Sequence, residues 1–535
     1  MAVRFLLFPD IYCYSLLKIV EAGVGVGYKE YIQKRLPRQA MYSVTMECDT
    51  MIDFSQLEMY RENNRIEAKR ALGGLPRSIW ETYSAFANTL GGVILLGVGE
   101  RPDKALEIAG LPDPEKLIRD FWNGVNDPSK VSVNLLSDRD VFVQEVDNLP
   151  IVVIRVPRAD RTYRPVYIDG NPVTGTYRRN GEGDYHCTKE EYQAMVRDAS
   201  VRTQDMLVLD EMTMDVFNTE SIRSYRQRMR LSRPGHVWEA LEDEEFLLRI
   251  GAAAIGPDSR KHPTSAGLLM FGNEYDIVRE YNSYFLDYQE QYDADTRWTD
   301  RVISSSGDWS GNVYDFYFRV YNKLIQDIRV PFKLEGNLRV DDTPLHQALR
   351  EALANCLVNA DYYGRQGIVI IKRHDGISFS NPGDFRIEID AAKSGGISDP
   401  RNSTMLKMFN LIDIGERAGS GIPNIFFVWK TQGLPDPVIT EQFTPERISV
   451  FLPLKKIGDK KSAIKIGDKK SAIAEDRMKQ IVDYLTEHRS AKASEIADHI
   501  GLQPSRTRDY LTELVYAGIV ITEGKNRNRV YRLNR

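Results

Sequence analysis

The run from Ser84 to Glu100 constrains the fold of this chain more than any other segment does. It starts with Ser84-Ala-Phe-Ala-Asn88 and passes through Gly91-Gly92 into the apolar stretch Val93-Ile-Leu-Leu-Gly97-Val98. A short apolar run bounded by glycines is typical of a buried strand, and the residues before it have helical spacing. The sequence therefore predicts a helix over residues 79–89, followed directly by a buried strand at 93–98.

Similar patterns predict two separate α/β units. In the first, strands are expected at 131–135, 141–146 and 151–156, and a helix at 190–197 closes a domain of residues 51–200. In the second, a helix over 344–361 precedes a hairpin with strands at 368–373 and 377–380, and a closing strand at 448–454. This second unit occupies residues 341–455.

The remaining segments complete an α+β multidomain organisation, as a length of 535 residues suggests. Residues 205–340 are predicted to be a mixed, mostly helical connector. The sequence Lys-Ile-Gly-Asp-Lys-Lys-Ser-Ala-Ile occurs twice in residues 456–473, and we expect this polar basic repeat to be a linker. Residues 474–535 form a small terminal domain. Residues 1–50 are either an artefact of the assigned start, with Met41, Met46 and Met51 as alternatives, or a genuine helical arm.

The composition of the chain limits the functional classes to which it can belong. A net charge of -5 provides no global attraction to nucleic acid, so any such contact must come from local basic patches. The four cysteines, Cys13, Cys48, Cys187 and Cys356, lie far apart and favour neither disulfides nor a zinc site, which fits a reducing cytoplasm. No apolar run reaches the length of a membrane span, so we expect no membrane partner.

A first candidate site combines Glu62, Glu67, Lys69 and Glu100. Glu67 and Lys69 share one face if 66–69 is a strand, because side chains alternate along it. Glu100 follows the buried strand, where loops commonly gather functional groups. Carboxylate oxygens suit Mg²⁺ or Mn²⁺, so Glu62, Glu67 and Glu100 are candidate metal ligands, and Lys69 can neutralise developing charge. Surface salt bridges are the competing interpretation.

A second candidate site is a group of arginines with interleaved tyrosines at 163, 167 and 177. Such a patch can neutralise phosphates and stack on unpaired bases. A solvated loop is the competing interpretation. The candidate nucleic-acid-binding residues are Arg158, Arg161, Arg164, Arg178 and Arg179.

A third candidate site lies in residues 341–455. Glu351 and Asn355 share a helix face at a spacing of four residues, so a carboxylate can orient water beside an amide that can ligate Mg²⁺. Glycines further on can let backbone amides approach phosphates. The candidate cofactor-binding residues are Glu351, Asn355, Asn381, Gly383, Gly419 and Gly421, with Asn355 also a candidate metal ligand.

The terminal domain has the pattern of a winged helix-turn-helix. Residues 494–501 fit its second helix and residues 504–518 its recognition helix, with Ile496, Ala497, Ile500, Leu511, Leu514 and Val515 as core. Exposed cations are then expected to contact duplex DNA, although a protein-contact domain is the alternative. The DNA-contacting candidates are Arg506, Arg508, Lys525, Arg527 and Arg529.

These motifs resemble three known families. The run Glu62 to Glu100 resembles the Schlafen-type AlbA-like domain, whose nuclease members carry an acidic triad matched by Glu62, Glu67 and Glu100; Gly97-Val98-Gly99-Glu100 replaces their Gly-Val-Asp-Asp. Residues 341–455 resemble a divergent GHKL ATPase, an α/β sandwich. There Glu351 matches the water-activating position and Asn355 the magnesium position. Asn381-Pro-Gly383 replaces the Asp-x-Gly that reads adenine. Residues 474–535 resemble bacterial winged-helix regulators.

The resemblances imply a cytoplasmic protein that binds RNA, double-stranded DNA or both and can form a homodimer. One interpretation is a metal-dependent endoribonuclease acting on tRNA-like substrates, gated by ATP, in stress response or phage defence. The other is a non-enzymatic, ATP-responsive transcriptional regulator. A nucleotide-dependent scaffold is a third.

Overall fold

The computed structural model divides the chain into two compact units. Residues up to Ala159 together with Val166–Cys187 form the first unit, and Asp160–Pro165 together with Thr188 onward form the second. The structure describes residues 52, 54, 57, 60–292, 297–326, 334–335, 338–339, 343–415, 419–443, 445–454, 480–486, 488, 490–500, 502, 507, 510–511, 514, 520–523 and 530–533. The predicted leader at 1–50 and the repeat at 456–473 lie outside these residues.

The first unit is built on a four-stranded sheet. The strands of the whole unit are β1 (Ile66–Lys69), β2 (Gly92–Leu96), β3 (Val98–Glu100), β4 (Leu106–Ile108), β5 (Val141–Val146), β6 (Leu149–Val156), β7 (Tyr177–Asn180) and β8 (Gly183–His186). The helices of the unit are α1 (Ile79–Ala87) and α2 (Pro114–Val125). The sheet order is β1-β2-β6-β5, in which β1 runs parallel to β2 and the other pairs are antiparallel. β3 and β4 form one hairpin, and β7 and β8 form another.

The predicted helix and buried strand are present, with different ends. α1 stops at Ala87 because the chain turns through Gly91, whose φ of +70° suits glycine, before β2 begins. Alternate residues of β2 point to opposite faces of the sheet: Ile94 and Leu96 pack on one side, and Val93 and Leu95 pack on the other. Both faces of the sheet are therefore covered, which explains why β2 is apolar throughout.

One predicted strand, at 131–135, does not form. Val131 makes only an isolated bridge to Ile168. Further along, the Tyr83 hydroxyl donates to the carbonyl of Val133 at 3.2 Å and accepts from the amide of Leu135 at 2.8 Å. A buried side chain thus satisfies backbone groups that a neighbouring strand would otherwise pair, and the β-branched composition alone could not reveal this.

The second unit contains a six-stranded sheet that crosses the predicted domain boundary. Its helices are α3 (Lys189–Ala199), α4 (Thr219–Ser232), α5 (Asp243–Ile250), α6 (Ser265–Phe271), α7 (Glu274–Glu280), α8 (Val313–Ile325), α9 (Pro344–Val358), α10 (Ile389–Ser394), α11 (Ser403–Leu411) and α12 (Gly421–Thr431). Its strands are β9 (Ala253–Ile255), β10 (Lys261–Pro263), β11 (Leu286–Glu290), β12 (Asp300–Ile303), β13 (Leu334–Glu335), β14 (Leu338–Arg339), β15 (Ile368–Lys372), β16 (Gly376–Pro382), β17 (Val438–Phe443) and β18 (Glu446–Pro453).

The sheet order is β12-β11-β15-β16-β18-β17. β15 and β16 pair antiparallel, as the hairpin pattern predicts, whereas β11 joins β15 in parallel. Because β11 and β12 come from the predicted connector, the connector is not a separate domain. One apolar core extends from Leu209 to Leu452 and confirms that the two segments fold together.

The terminal segment has its expected core. α13 (Ala493–Ile500) is followed by an antiparallel pair of strands, β19 (Val520–Glu523) and β20 (Val530–Leu533). Five of the predicted core residues are buried: Ile496, Ala497, Ile500, Leu511 and Leu514. Val515 and the candidate DNA contacts Arg506, Arg508, Lys525, Arg527 and Arg529 lie outside the described residues. In the part of the chain that the structure covers, no helix is long and apolar enough to cross a membrane.

Candidate functional site

The acidic residues of the first unit lie at the ends of β1 and β3. Glu67 and Lys69 share a face of β1 as predicted, and Lys69 Nζ donates to Glu67 Oε1 at 2.7 Å. Glu62 precedes the strand and its Oε1 accepts from the amide of Ala68 at 3.0 Å. Glu100 ends β3, where its Oε2 lies 3.2 Å from Lys104 Nζ.

Arg179 is a further partner of this acidic cluster. Its side chain is buried, and Nη2 lies 2.8 Å from Glu67 Oε2, an ion pair without hydrogen-bond alignment. Nη1 donates to Asp184 at 2.9 Å, and other N–H groups donate to the carbonyls of Asn63 and Ile66. Lys69, Arg179 and Lys104 thus neutralise the cluster from within the unit.

The metal prediction for these carboxylates stays a prediction. Burial raises the pKa of Glu62, and the negative charges of Glu67 and Glu100 raise it further, so the three carboxylates are electrostatic neighbours. However, no three His, Cys, Asp or Glu side chains in the described ranges are grouped so that they could hold a metal ion. As they are placed, Glu67 and Glu100 are paired with cations, which a metal would have to displace.

The predicted arginine patch is also not an exposed surface. Arg178 and Arg179 are buried, and Arg158 is half-buried. Arg161 and Arg164 belong to the second unit, where Arg164 Nη1 donates to Asp384 Oδ2 at 2.5 Å and Arg161 pairs with Asp399. These side chains are committed to internal partners, which corrects the expectation that they present a phosphate-binding face.

The motif around Asn88 has a structural role. The Asn88 side chain is fully buried; its Nδ2 donates to the carbonyls of Val166 and Tyr177, and its Oδ1 accepts from the amide of Val166 at 2.8 Å. Buried backbone groups need such partners. Asn88 therefore fixes Val166, directly after the segment 160–165, and Tyr177 to the end of α1.

A cavity in the second unit brings together most of the third candidate site. Five of its six residues line this cavity: Glu351, Asn355, Asn381, Gly419 and Gly421. They come from α9, the end of β16 and the segment leading into α12. The cavity measures about 140 Å³, and much of the rest of its wall is apolar, including Phe379, Ile425 and Ile448.

Glu351, Asn355 and Gly421 meet at one end of the cavity. Asn355 Nδ2 donates to Glu351 Oε1 at 3.2 Å, as their shared helix face predicts. α12 begins at Gly421, and a Cβ added there would lie only 2.0 Å from Glu351 Oε1. A helix N-terminus carries backbone donors and a partial positive charge, so this end of the cavity suits an anion.

The other predicted residues have different surroundings. Asn381 is buried, and its Nδ2 donates to the carbonyl of Pro382 at 3.2 Å. Gly419 has a φ of +65°, and a Cβ there would lie 2.4 Å from the carbonyl oxygen of Ile397. Gly383 is not a wall of the cavity. It has a φ of +102° and packs against the guanidinium of Arg401, so its role is to hold that arginine.

Charged residues that the sequence did not single out also line the cavity. Asp384, Arg386 and Asp399 are part of its wall. Asp384 and Arg386 follow immediately after Asn381-Pro-Gly383, so their position next to that motif was the available signal. Ion pairing between distant segments could not be read from spacing.

Behind this wall lies a buried ionic network. Arg401 Nη2 contacts Asp198 Oδ2 at 2.9 Å and Asp384 Oδ1 at 3.1 Å. Burial raises the pKa of Asp198 to about 6, although Arg401 opposes this shift. Arg401 in turn donates to the carbonyl of Asp384, which ties the network to the turn after β16.

Comparison with protein families finds four matches along the chain. The family model "Schlafen, AlbA_2" matches residues 62–188, and "Putative ATP-dependent DNA helicase recG C-terminal" matches residues 366–451. "IclR helix-turn-helix domain" matches residues 476–524, and a domain of unknown function matches residues 193–287. These matches confirm the predicted architecture and support a protein that binds nucleic acid.

Two solved structures are similar over parts of the chain. The DIP2311 protein from Corynebacterium diphtheriae is 15% identical, covering 88% of this chain and 92% of that chain, with a TM-score of 0.37. The N-terminal domain of a "Putative ATP-dependent DNA Helicase RecG-related Protein" from Nitrosomonas europaea is 34% identical, covering 26% of this chain and 95% of that chain, with a TM-score of 0.21. No curated protein matches the sequence.

Proposed function

We propose that this chain, which carries a Schlafen AlbA_2 domain, a RecG-C-terminal-type domain and an IclR-type helix-turn-helix, is a nucleotide-responsive regulator that binds DNA. The observation that supports the nucleotide most strongly is the cavity. Five of the residues that the sequence predicts to bind a cofactor, separated by up to 70 positions, line this one cavity.

The cavity has a size and polarity that fit part of a nucleotide. At about 140 Å³ it is similar to the roughly 150 Å³ apolar cavity that admits a benzene ring, so it can enclose a base but not a whole nucleotide. Apolar walls such as Phe379 and Ile448 suit the faces of a base. The phosphates would then lie at the Gly421 end, against the start of α12.

The residues at that end also fit a magnesium–phosphate group. When bound, Mg²⁺ would neutralise phosphate charge, and Asn355 supplies an amide oxygen of the kind the ion accepts. Glu351 is placed beside Asn355 and can orient water. Binding is the function we propose; the replacement of the family's aspartate by Asn381 weakens the selection of adenine, because an amide can present either a donor or an acceptor.

Calorimetric titration of the full chain with ATP and Mg²⁺, and separately with adenosine, tests this function. We expect ATP to bind with one site per chain and adenosine to bind more weakly, since it lacks the phosphates. Absence of heat with either ligand, confirmed by a second method such as a thermal shift, would contradict the proposed cavity function. The cytoplasmic location and a homodimer accompany this proposal as predictions.

A second candidate function is metal-dependent RNA cleavage by the first unit. It is favoured by the placement of the carboxylates: burial raises the pKa of Glu62, and the nearby Glu67 and Glu100 raise it further. Cleavage would require these carboxylates to exchange their cations for a metal. Incubation with tRNA in the presence and absence of Mn²⁺ tests it. Cleavage that depends on Mn²⁺ and is lost in Glu67→Gln would favour the nuclease over the regulator.

A further inference from the structure

Two arginines that flank Tyr163 join a short loop to the wall of the cavity. The loop, Asp160–Pro165, contains a single turn of 3₁₀ helix over Arg161–Tyr163. Arg161 forms an ion pair with Asp399, and Arg164 forms one with Asp384. Asp384 and Asp399 both line the cavity. The loop is therefore linked at two points to the residues that a ligand would touch.

The two ion pairs differ in burial. The Arg164 and Asp384 side chains are 2% and 5% exposed, so separating them would leave two charges without water. The Arg161 and Asp399 side chains are 13% and 27% exposed. Asp399 can therefore move into solvent at a much smaller cost, and the Arg161 pair is the one that a ligand can open.

The guanidinium of Arg161 is held in place independently of Asp399. Its Nη1 donates to the carbonyls of Asp198 at 2.7 Å and Ser200 at 3.0 Å. Its Nη2 faces Asp399 Oδ1 at 3.2 Å, while Asp399 Oδ2 also lies 3.5 Å from Arg386 Nε. Arg386 is anchored in the same way, because it donates to the carbonyl of Pro400 at 3.0 Å. Two preset guanidinium groups thus share one carboxylate at the cavity wall.

We propose that Arg161 and Arg386 form a second anion site at the cavity wall, in addition to the start of α12, which Asp399 occupies in the free protein and a phosphate group of the bound nucleotide takes over. The proposal rests on the nucleotide function proposed above and adds the residues that recognise the phosphate. Guanidinium groups pair with carboxylate and phosphate oxygens through the same bidentate geometry, so one anion can replace the other. Arg164 keeps the loop on the cavity wall during the exchange.

The residues that flank the loop are fixed within the first unit. Ala159 and Val166, which flank the loop, belong to that unit, where the amide of Ala159 donates to the carbonyl of Ala87 and the amide of Val166 donates to Asn88 Oδ1. The residues on both sides of the loop are thus held by the end of α1. A change in the partner of Arg161 alters the restraint on a loop that the AlbA_2-type sequence contains.

Binding of ATP and adenosine to three variants of the full chain tests the anion site. Arg161→Ala should weaken ATP binding roughly tenfold, the loss expected for one charged hydrogen-bond pair, and should leave adenosine binding unchanged. Asp399→Asn removes the competing charge and should strengthen ATP binding without affecting adenosine. Arg161→Lys retains a charge and should be intermediate. Arg365→Ala, which breaks an exposed ion pair with Glu190, is the matched control and should change neither affinity.

The outcomes separate this inference from the function on which it depends. If the wild-type chain binds neither ligand, both proposals are overturned. If it binds ATP but Arg161→Ala and Asp399→Asn have wild-type affinity, or lose ATP and adenosine equally, only the anion site is overturned. Hydrogen exchange of residues 160–165 supplies a second measurement: the rate should change on addition of ATP, and not of adenosine, in the wild-type chain.

Discussion

Gly421 approaches Glu351 so closely that a Cβ on the glycine would lie 2.0 Å from the carboxylate oxygen Oε1. The start of α12 and the polar face of α9 are therefore in contact because residue 421 has no side chain. This contact sets the geometry of the polar end of the cavity.

Replacement of Gly421 by Ala should displace the Glu351 carboxylate from Asn355. Overpacking at a close contact costs roughly 1–3 kcal/mol, although the flexible end of Glu351 can absorb part of this. We expect the affinity for ATP to fall about tenfold or more, measured by calorimetry. Gly73→Ala is the control, because nothing lies within 4 Å of a Cβ at that position. Equal ATP affinities in both variants would contradict the role of this contact.

The acidic cluster of the first unit should behave as an ion-pair network. Glu67→Gln removes one of the two carboxylates that neutralise the buried Arg179, and we expect a loss of about 2 kcal/mol in the free energy of unfolding. Glu100→Gln disrupts a pair with the exposed Lys104 and should cost about 0.5 kcal/mol. Urea denaturation compares the two; a larger effect for Glu100 would show that the network is assigned incorrectly.

Local sequence patterns predict where helices and strands form better than they predict which elements pack against each other. The register of alternate residues placed Glu67 and Lys69 together, and the i, i+4 spacing placed Asn355 beside Glu351. In contrast, the joining of β11 to β15 depends on contacts between residues far apart in sequence. Arg164 is buried because it pairs with Asp384, 220 positions away, and spacing along the chain does not reveal this partner. Arginines that resemble a nucleic-acid-binding patch in the sequence are therefore internal in the structure.

Asp198 should make the second unit less stable as the pH rises towards neutrality. Burial raises its pKa from 3.8 to about 6, so the unfolded chain loses this proton first. Its contribution to the free energy of unfolding then falls between about pH 4 and pH 6 and levels off above that range, by up to about 3 kcal/mol. The free energy of unfolding of Asp198→Asn, measured by denaturation at several pH values, should not show this decrease. If it falls with pH as steeply as in the wild type, Asp198 is not the source of the decrease.

The terminal domain should bind duplex DNA through its wing. Arg527→Ala combined with Arg529→Ala should weaken binding to all sequences and flatten the log–log salt dependence by about 0.9 for each phosphate that is no longer neutralised. Arg508→Ala should instead relax sequence preference, because a base-edge contact is worth roughly 1–3 kcal/mol. Salt titrations of the full chain on two unrelated duplexes distinguish these effects. If DNA binding does not depend on salt concentration, the domain has a protein-contact role instead.

A nucleotide-responsive regulator requires ATP to change the affinity of the chain for DNA. The dissociation constant of the full chain for a duplex should be measured with and without saturating ATP and Mg²⁺. Coupling between two sites commonly amounts to about 1–3 kcal/mol, so we expect a change of about fivefold or more that disappears in Gly421→Ala. An identical dissociation constant in both conditions, with ATP bound, would contradict a nucleotide-responsive regulator.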